Sequence, residues 1–116
     1  MELEEKAIHI AKTLEDYKAD HVIVLDLTEK NVFTDYFVIA TSSSAVHASG
    51  LEKHVLDEAE ELGLEEIKKT KKMDDGDEWK LIDLGNIVVH IMTPLARKFY
   101  ELEKLWYDAK YIVGER

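Results

Sequence analysis

The 116-residue chain has no cysteine, one proline, five glycines and only two arginines, Arg97 and Arg116. Each shortage removes a class of explanation. Without cysteine there is neither a disulfide framework nor thiol chemistry, a composition compatible with a reducing compartment. The few glycines do not gather into a phosphate-cradling loop. The five histidines, at 9, 21, 47, 54 and 90, form neither an i, i+4 pair nor a His-Glu-x-x-His pattern, so the usual helical metal-ligand spacing is missing. Apolar runs reach only a few residues, too short to span a bilayer. The start, Met1-Glu2-Leu3-Glu4-Glu5, is acidic where secretory and organellar leaders are basic. The expectation is a cytoplasmic protein with no membrane partner.

Acid and apolar surface are plentiful. Hydrophobic residues make up 46% and charged residues 34%, proportions of a globular chain of one domain's length. Lysine plus arginine number 15 against 25 aspartates and glutamates, a net charge of −10. Such a surface is repelled by nucleic-acid phosphates, so DNA is not an expected partner. The run Lys68-Lys69-Thr70-Lys71-Lys72 is a local exception. A basic protein is the better electrostatic match, although an acidic surface also serves solubility alone.

No repeat, low-complexity tract or linker divides the chain. Residues 2–17 carry Leu3, Ala7, Ile10, Leu14 and Tyr17 at helical spacing. The segments His21–Leu27 and Tyr36–Thr41 are apolar at most positions and read as strands buried on both faces, joined by a polar turn at 28–31. Ser42, Ser43 and Ser44 are candidate N-caps for a helix reaching about Leu62, with Ala48, Leu51, Val55, Ala59 and Leu62 inward and Gly63 as C-cap. Residues 65–72 fit a lysine-guarded edge strand, and Asp74-Asp75-Gly76-Asp77 an acidic loop. Two strands, 78–84 and 86–92, follow around a Gly85-Asn86 turn. Thr93 as N-cap and Pro94 at the first helical position open a last helix, with Leu95, Phe99, Leu102 and Trp106 as its buried stripe. The predicted order is α-β-β-α-β-β-β-α, an α/β domain with one mixed sheet covered by helices.

Little here resembles a reaction centre. Asp26, Asp35 and Asp83 sit in or beside predicted strands, as magnesium-binding carboxylates of nucleotidyl transferases do. Such enzymes also need a glycine-containing triphosphate cradle and two carboxylates at i, i+2 on one strand. Thr41-Ser42-Ser43-Ser44 has no glycine, Asp75-x-Asp77 lies in a predicted loop, and Thr34-Asp35 suits fixing a turn. A metal-dependent nucleotidyl transferase is therefore the alternative reading, and no catalytic residue, metal or cofactor is expected. Strand alternation places Trp79, Leu81 and Asp83 on one face and Lys80, Ile82 and Leu84 on the other. A lone tryptophan in that position is either a core residue or an interface anchor. On the last helix Arg97, Tyr100, Glu103 and Lys104 share a second face, suited to docking or to solvent alike.

Three separated blocks carry a family resemblance: Thr34–Thr41, Trp79–Met92 and Arg97–Trp106. Together they resemble the ribosomal silencing factors of the Iojap type, over about residues 3–109 and with the elements in the same order. The resemblance implies a nucleotidyltransferase-like fold without catalytic groups. It also implies binding to the fourteenth protein of the large ribosomal subunit, a basic protein, so that joining of the small subunit is sterically blocked and translation is repressed. Trp79 falls at the family's docking tryptophan, with Leu81 and Asp83 beside it, and Arg97 and Tyr100 match an Arg-x-x-Tyr at the start of the last helix. Asn86, Ser42 and Val46 depart from the family's usual aspartate, glycine and arginine. The expected organisation is a silencing domain over 1–109 with a C-terminal tail at 110–116, able to self-associate as a homodimer through the apolar sheet face.

Overall fold

The computed structural model describes residues 1–30, 32–73 and 76–114, and the side chains of all of these except 68–73, 76–78 and 103. Helix α1 (Leu3–Asp16) buries Ala7, Ile10, Ala11 and Leu14, the expected stripe. Tyr17 falls outside it: this residue is 46% exposed, and its ring stacks on His54 at 3.5 Å. Strand β1 (Asp20–Asp26) begins with an irregularity in its pairing, with His21 in the left-handed region at φ 46°. Strand β2 (Tyr36–Thr41) is buried at all six positions, as expected of a strand covered on both faces.

Helix α2 (Ala45–Glu61) starts at Ser44, whose side chain accepts a hydrogen bond from the His47 N–H at 3.0 Å. It ends in a paired closure: Gly63 N–H donates to Glu60 O and Leu64 N–H to Ala59 O, with Gly63 at φ 76°. Strands β3 (Lys68–Met73), β4 (Gly76–Asp83) and β5 (Ile87–Met92) then pair antiparallel. The β4–β5 hairpin turns at Gly85, φ 88°, whose N–H donates to Asp83 Oδ1 at 2.9 Å. Helix α3 (Pro94–Tyr100) has Thr93 as N-cap, its side chain accepting from Ala96 N–H, and α4 (Leu102–Leu105) is a single turn. Strand β6 (Lys110–Val113) closes the chain's path.

The six strands lie in the order β3-β4-β5-β2-β1-β6, and only β2 and β5 run parallel. One face is roofed by α1 and α2. Val24, Val38, Ile82, Val89 and Ile91 pack there beneath Ile10, Leu14, Leu51 and Val55. The other face holds Ile23, Leu25, Phe37, Ile39, Val88 and Met92, covered by Ala96 and Ala109 and by the partly buried Leu102 and Trp106. Among the described residues no helix is long and apolar enough to cross a membrane.

The structure departs from the sequence reading at the C-terminal end. The segment 110–113, expected in a tail, is a strand paired antiparallel with β1. Gly114 lets it close: a Cβ there would stand 2.5 Å from Ile23 Cγ2 and 2.9 Å from Val22 O. The expected last helix is broken at Glu101, which takes left-handed angles (φ 47°, ψ 53°) and divides α3 from α4. Beyond this kink Leu102 and Trp106 reach the sheet, whereas Leu95 and Phe99, expected inward, point to solvent, 67% and 77% exposed. The element order is thus α-β-β-α-β-β-β-α-α-β. Of the expected acidic loop, residues 74 and 75 lie outside the described residues, and Gly76 and Asp77 already belong to β4.

Candidate functional site

The hairpin register places the side chains. Counting back from the turn, Asp83 opposes Val88, Ile82 opposes Val89, Leu81 opposes His90 and Trp79 opposes Met92. Ile82 joins the core under α2, and the neighbouring buried Lys80 pairs with Glu52 of α2 at 3.8 Å. Trp79 and Leu81 therefore project to the opposite face, where they are half-buried.

That face carries a chain of rings. Trp79 and Tyr100 have centroids 4.6 Å apart, and Tyr100 meets Phe99 edge-on at 5.0 Å. In the other direction Trp79 lies 5.8 Å from His90, His90 meets Phe37 edge-on at 4.6 Å, and Phe37 contacts Phe33 and Trp106. The two ends of the row, Phe99 and Phe33, are 77% and 75% exposed. Leu95 adds a further apolar side chain one helical turn before Phe99. Leu95, Phe99 and Tyr100 thus form an exposed apolar group on α3 beside Trp79, whereas between Trp79 and Phe33 the row passes through the buried His90 and Phe37.

Within the row the polar groups are few. Trp79 Nε1–H donates to His90 Nδ1 at 3.1 Å. His90 is buried, and loss of solvent lowers its pKa to about 3, so the ring is neutral at ordinary pH. With Nδ1 as acceptor the ring proton sits on Nε2, which has no hydrogen-bond partner among the described residues.

The five expected site residues separate. Trp79, Leu81 and Tyr100 come together. Asp83 lies on the same strand four residues from Trp79, about 13 Å along it, and its Oδ1 is engaged by the Gly85 N–H. Arg97 points away: its Nη1 donates to His21 O at 2.7 Å and to Thr41 Oγ1 at 2.8 Å, tying α3 to the β1–β2 end of the sheet. It lines a groove of about 490 Å³ with Asp20, Lys98 and Lys104 rather than the aromatic row. His90, Phe37, Phe33 and Leu95 were not among the expected site residues. The hairpin register gave a signal for His90, since pairing from Gly85-Asn86 sets it opposite Leu81.

The three aspartates of the transferase reading are each engaged at a turn. Asp26 Oδ1 accepts from the N–H and hydroxyl of Thr28, Asp35 Oδ2 accepts from Asn86 Nδ2, and Asp83 Oδ1 from Gly85. Among the described residues no group of three histidines, aspartates or glutamates is placed to hold a metal ion. His47 is bonded through its ring to Ser43 and to Tyr17 O, and His54 lies stacked on Tyr17.

The family model described as "Ribosomal silencing factor during starvation" matches residues 1–116. The chain belongs to this family. A ribosomal silencing factor of Bacillus subtilis is 36% identical over 99 residues, covering 85% of this chain and 82% of that protein. One from Treponema pallidum is 34% identical over 99 residues, covering 85% and 87%. A solved structure of a Chromobacterium violaceum protein shares the fold at a TM-score of 0.83, with 29% identity over 98% of this chain and 95% of that one.

Proposed function

We propose that this silencing-family protein is a non-enzymatic translation repressor. It binds the large ribosomal subunit through the subunit's fourteenth protein and sterically blocks joining of the small subunit. The observation that carries the reading is the aromatic group at Trp79 on the β4–β5 hairpin, itself half-buried and flanked by the exposed Tyr100 and Phe99. Large rigid rings bury much area on binding at little cost in rotamer freedom, which is why tryptophan and tyrosine dominate interface energetics. A chain with net charge −10 is steered toward a basic ribosomal protein, speeding encounter while the rings supply the hold. The relatives' name, ribosomal silencing factor, agrees with this reading.

Trp79, Leu81 and Tyr100 are the proposed contacts. Asp83 is proposed for the rim of the surface, and Arg97 for support from behind through its bonds to His21 and Thr41. Two copies of the free protein would cover the same apolar row by pairing as a homodimer, and the partner would then compete with the second copy. Calorimetric titration with the purified fourteenth large-subunit protein tests the docking face. Trp79→Ala should weaken binding by at least about 2 kcal/mol, a hot-spot loss. A folded variant that binds as tightly as wild type would move the anchor elsewhere.

A further inference from the structure

We propose that His90 is a positioning residue that fixes the pose of the Trp79 indole before any partner arrives, a role that rests on the docking face assigned above. Trp79 opposes Met92 and Leu81 opposes His90, so the indole must lean diagonally along the sheet to reach the imidazole. It does so with its N–H donating to His90 Nδ1 at 3.1 Å. Tyr100 of α3 lies on another flank of the indole at 4.6 Å. The half-buried tryptophan is thus tethered from the sheet and packed from the helix.

The imidazole is itself held. Phe37 meets it edge-on at 4.6 Å, and only 4% of its surface is exposed. A partner docking on the rings cannot touch His90, so any influence it has on binding must pass through Trp79. Nδ1 accepts only while the ring is neutral, and burial keeps it so at ordinary pH. An imidazolium would set N–H against N–H and release the indole. An indole already fixed in its docking pose loses less freedom on association, so preorganisation appears as affinity. A core histidine that merely fills space would affect stability without this dependence on the indole N–H.

Three substitutions separate the two roles. His90→Phe keeps a ring beside Phe37 and removes the acceptor; His90→Asn restores an oxygen near the Nδ1 position; Trp79→Phe removes the donor. In titrations with large ribosomal subunits, His90→Phe should weaken binding about tenfold and His90→Asn by less than about threefold. In a Trp79→Phe background, His90→Phe should cause no further loss, because the coupling has already been removed. A loss of equal size in both backgrounds, or no loss in either, would overturn the proposal.

A second readout needs no partner. In a Trp106→Phe background Trp79 is the only tryptophan, and its fluorescence anisotropy should gain a fast local decay in His90→Phe but not in His90→Asn. An unchanged decay would equally overturn the assignment. If the wild-type chain fails to bind subunits, the docking reading falls while the anisotropy still decides whether His90 holds the indole. Should His90→Phe lose its cooperative melting transition, His90→Leu takes its place in both measurements.

Discussion

Beneath α1 and α2 the sheet offers Val24, Val38, Ile82, Val89 and Ile91 to Ile10, Leu14, Leu51 and Val55, every one of them removed from water. On the opposite face the same strands offer Leu25, Phe37, Ile39, Val88 and Met92, but the cover is two short helices and the chain leading to Ala109. The first face is closed by aliphatic side chains from helices of 14 and 17 residues. The second is finished with aromatic rings whose outer members stay in solvent. Close packing of branched side chains stabilises the fold; rings left partly uncovered contribute little to that and are available for another surface. One sheet therefore combines a side closed by aliphatic packing with a side whose aromatic cover is left partly open.

The largest expected effect lies on the closed side. Leu51 of α2 is 1% exposed, and Leu51→Ala should cost about 3 kcal/mol of unfolding free energy, the lost transfer energy plus the cavity left behind. Denaturant titration measures it. A cost below about 1 kcal/mol would mean that this face is not the stabilising one.

The next effect concerns the seam that both faces share. Strand β6 sends Ile112 and Val113 toward the helix-covered core and Tyr111 toward the aromatic one. Gly114→Ala should destabilise by about 2 kcal/mol, because the added Cβ meets Val22 O at 2.9 Å and the residue's φ of 82° suits glycine. A neutral result in thermal melting would show that β6 can detach without loss, as a tail would.

The C-terminal end also marks the limit of what the sequence discloses. Period-two alternation around a Gly-Asn turn was enough to put Trp79 and Leu81 on one face and Ile82 on the other, because register follows locally from the hairpin. Strand β6 was not legible in the same way. It is four residues long, its partner β1 is some ninety residues earlier, and its closing signal, Tyr111-Ile112-Val113-Gly114, reads equally as the end of a chain. The break at Glu101 was hidden because glutamate is a good helix former, and its left-handed backbone serves tertiary packing rather than local preference. Arg97 shows the same limit: its acceptor His21 O is 76 residues away, so a residue expected to contact a partner is engaged within the fold. Fold class and the Trp79–Leu81 face of the hairpin are local properties of this chain; the C-terminal cover is not.

The open face carries its own pH dependence. His90 has its pKa lowered to about 3 in the folded protein, against an ordinary value of 6.5. Its neutral burial therefore contributes stability that is complete above about pH 6.5 and lost as pH falls toward 3, because the unfolded chain takes up the proton first. Between pH 7 and pH 5 the loss from this group should be about 2 kcal/mol. Denaturant titrations of wild type and His90→Asn across that range isolate it, since the carboxylates titrate alike in both. Parallel stability curves would mean that His90 gains no proton on unfolding, and hence that the aromatic face is wetter than its burial indicates.

The smallest expected effect on stability is the sharpest test of the contrast. Phe99 is 77% exposed, and its ring meets that of Tyr100 at the end of the row. Phe99→Ala removes a ring from the surface without opening a cavity, so its unfolding free energy should stay within about 0.5 kcal/mol of wild type. If this ring helps to form the contact face, the same variant should lose about 1 kcal/mol or more of partner affinity. An exposed core residue and an interface residue differ in this ratio: the first loses stability before affinity, the second affinity before stability. A Phe99→Ala variant that melts early and binds normally would place Phe99 with the packing of α3, and the contact face would then begin at Tyr100.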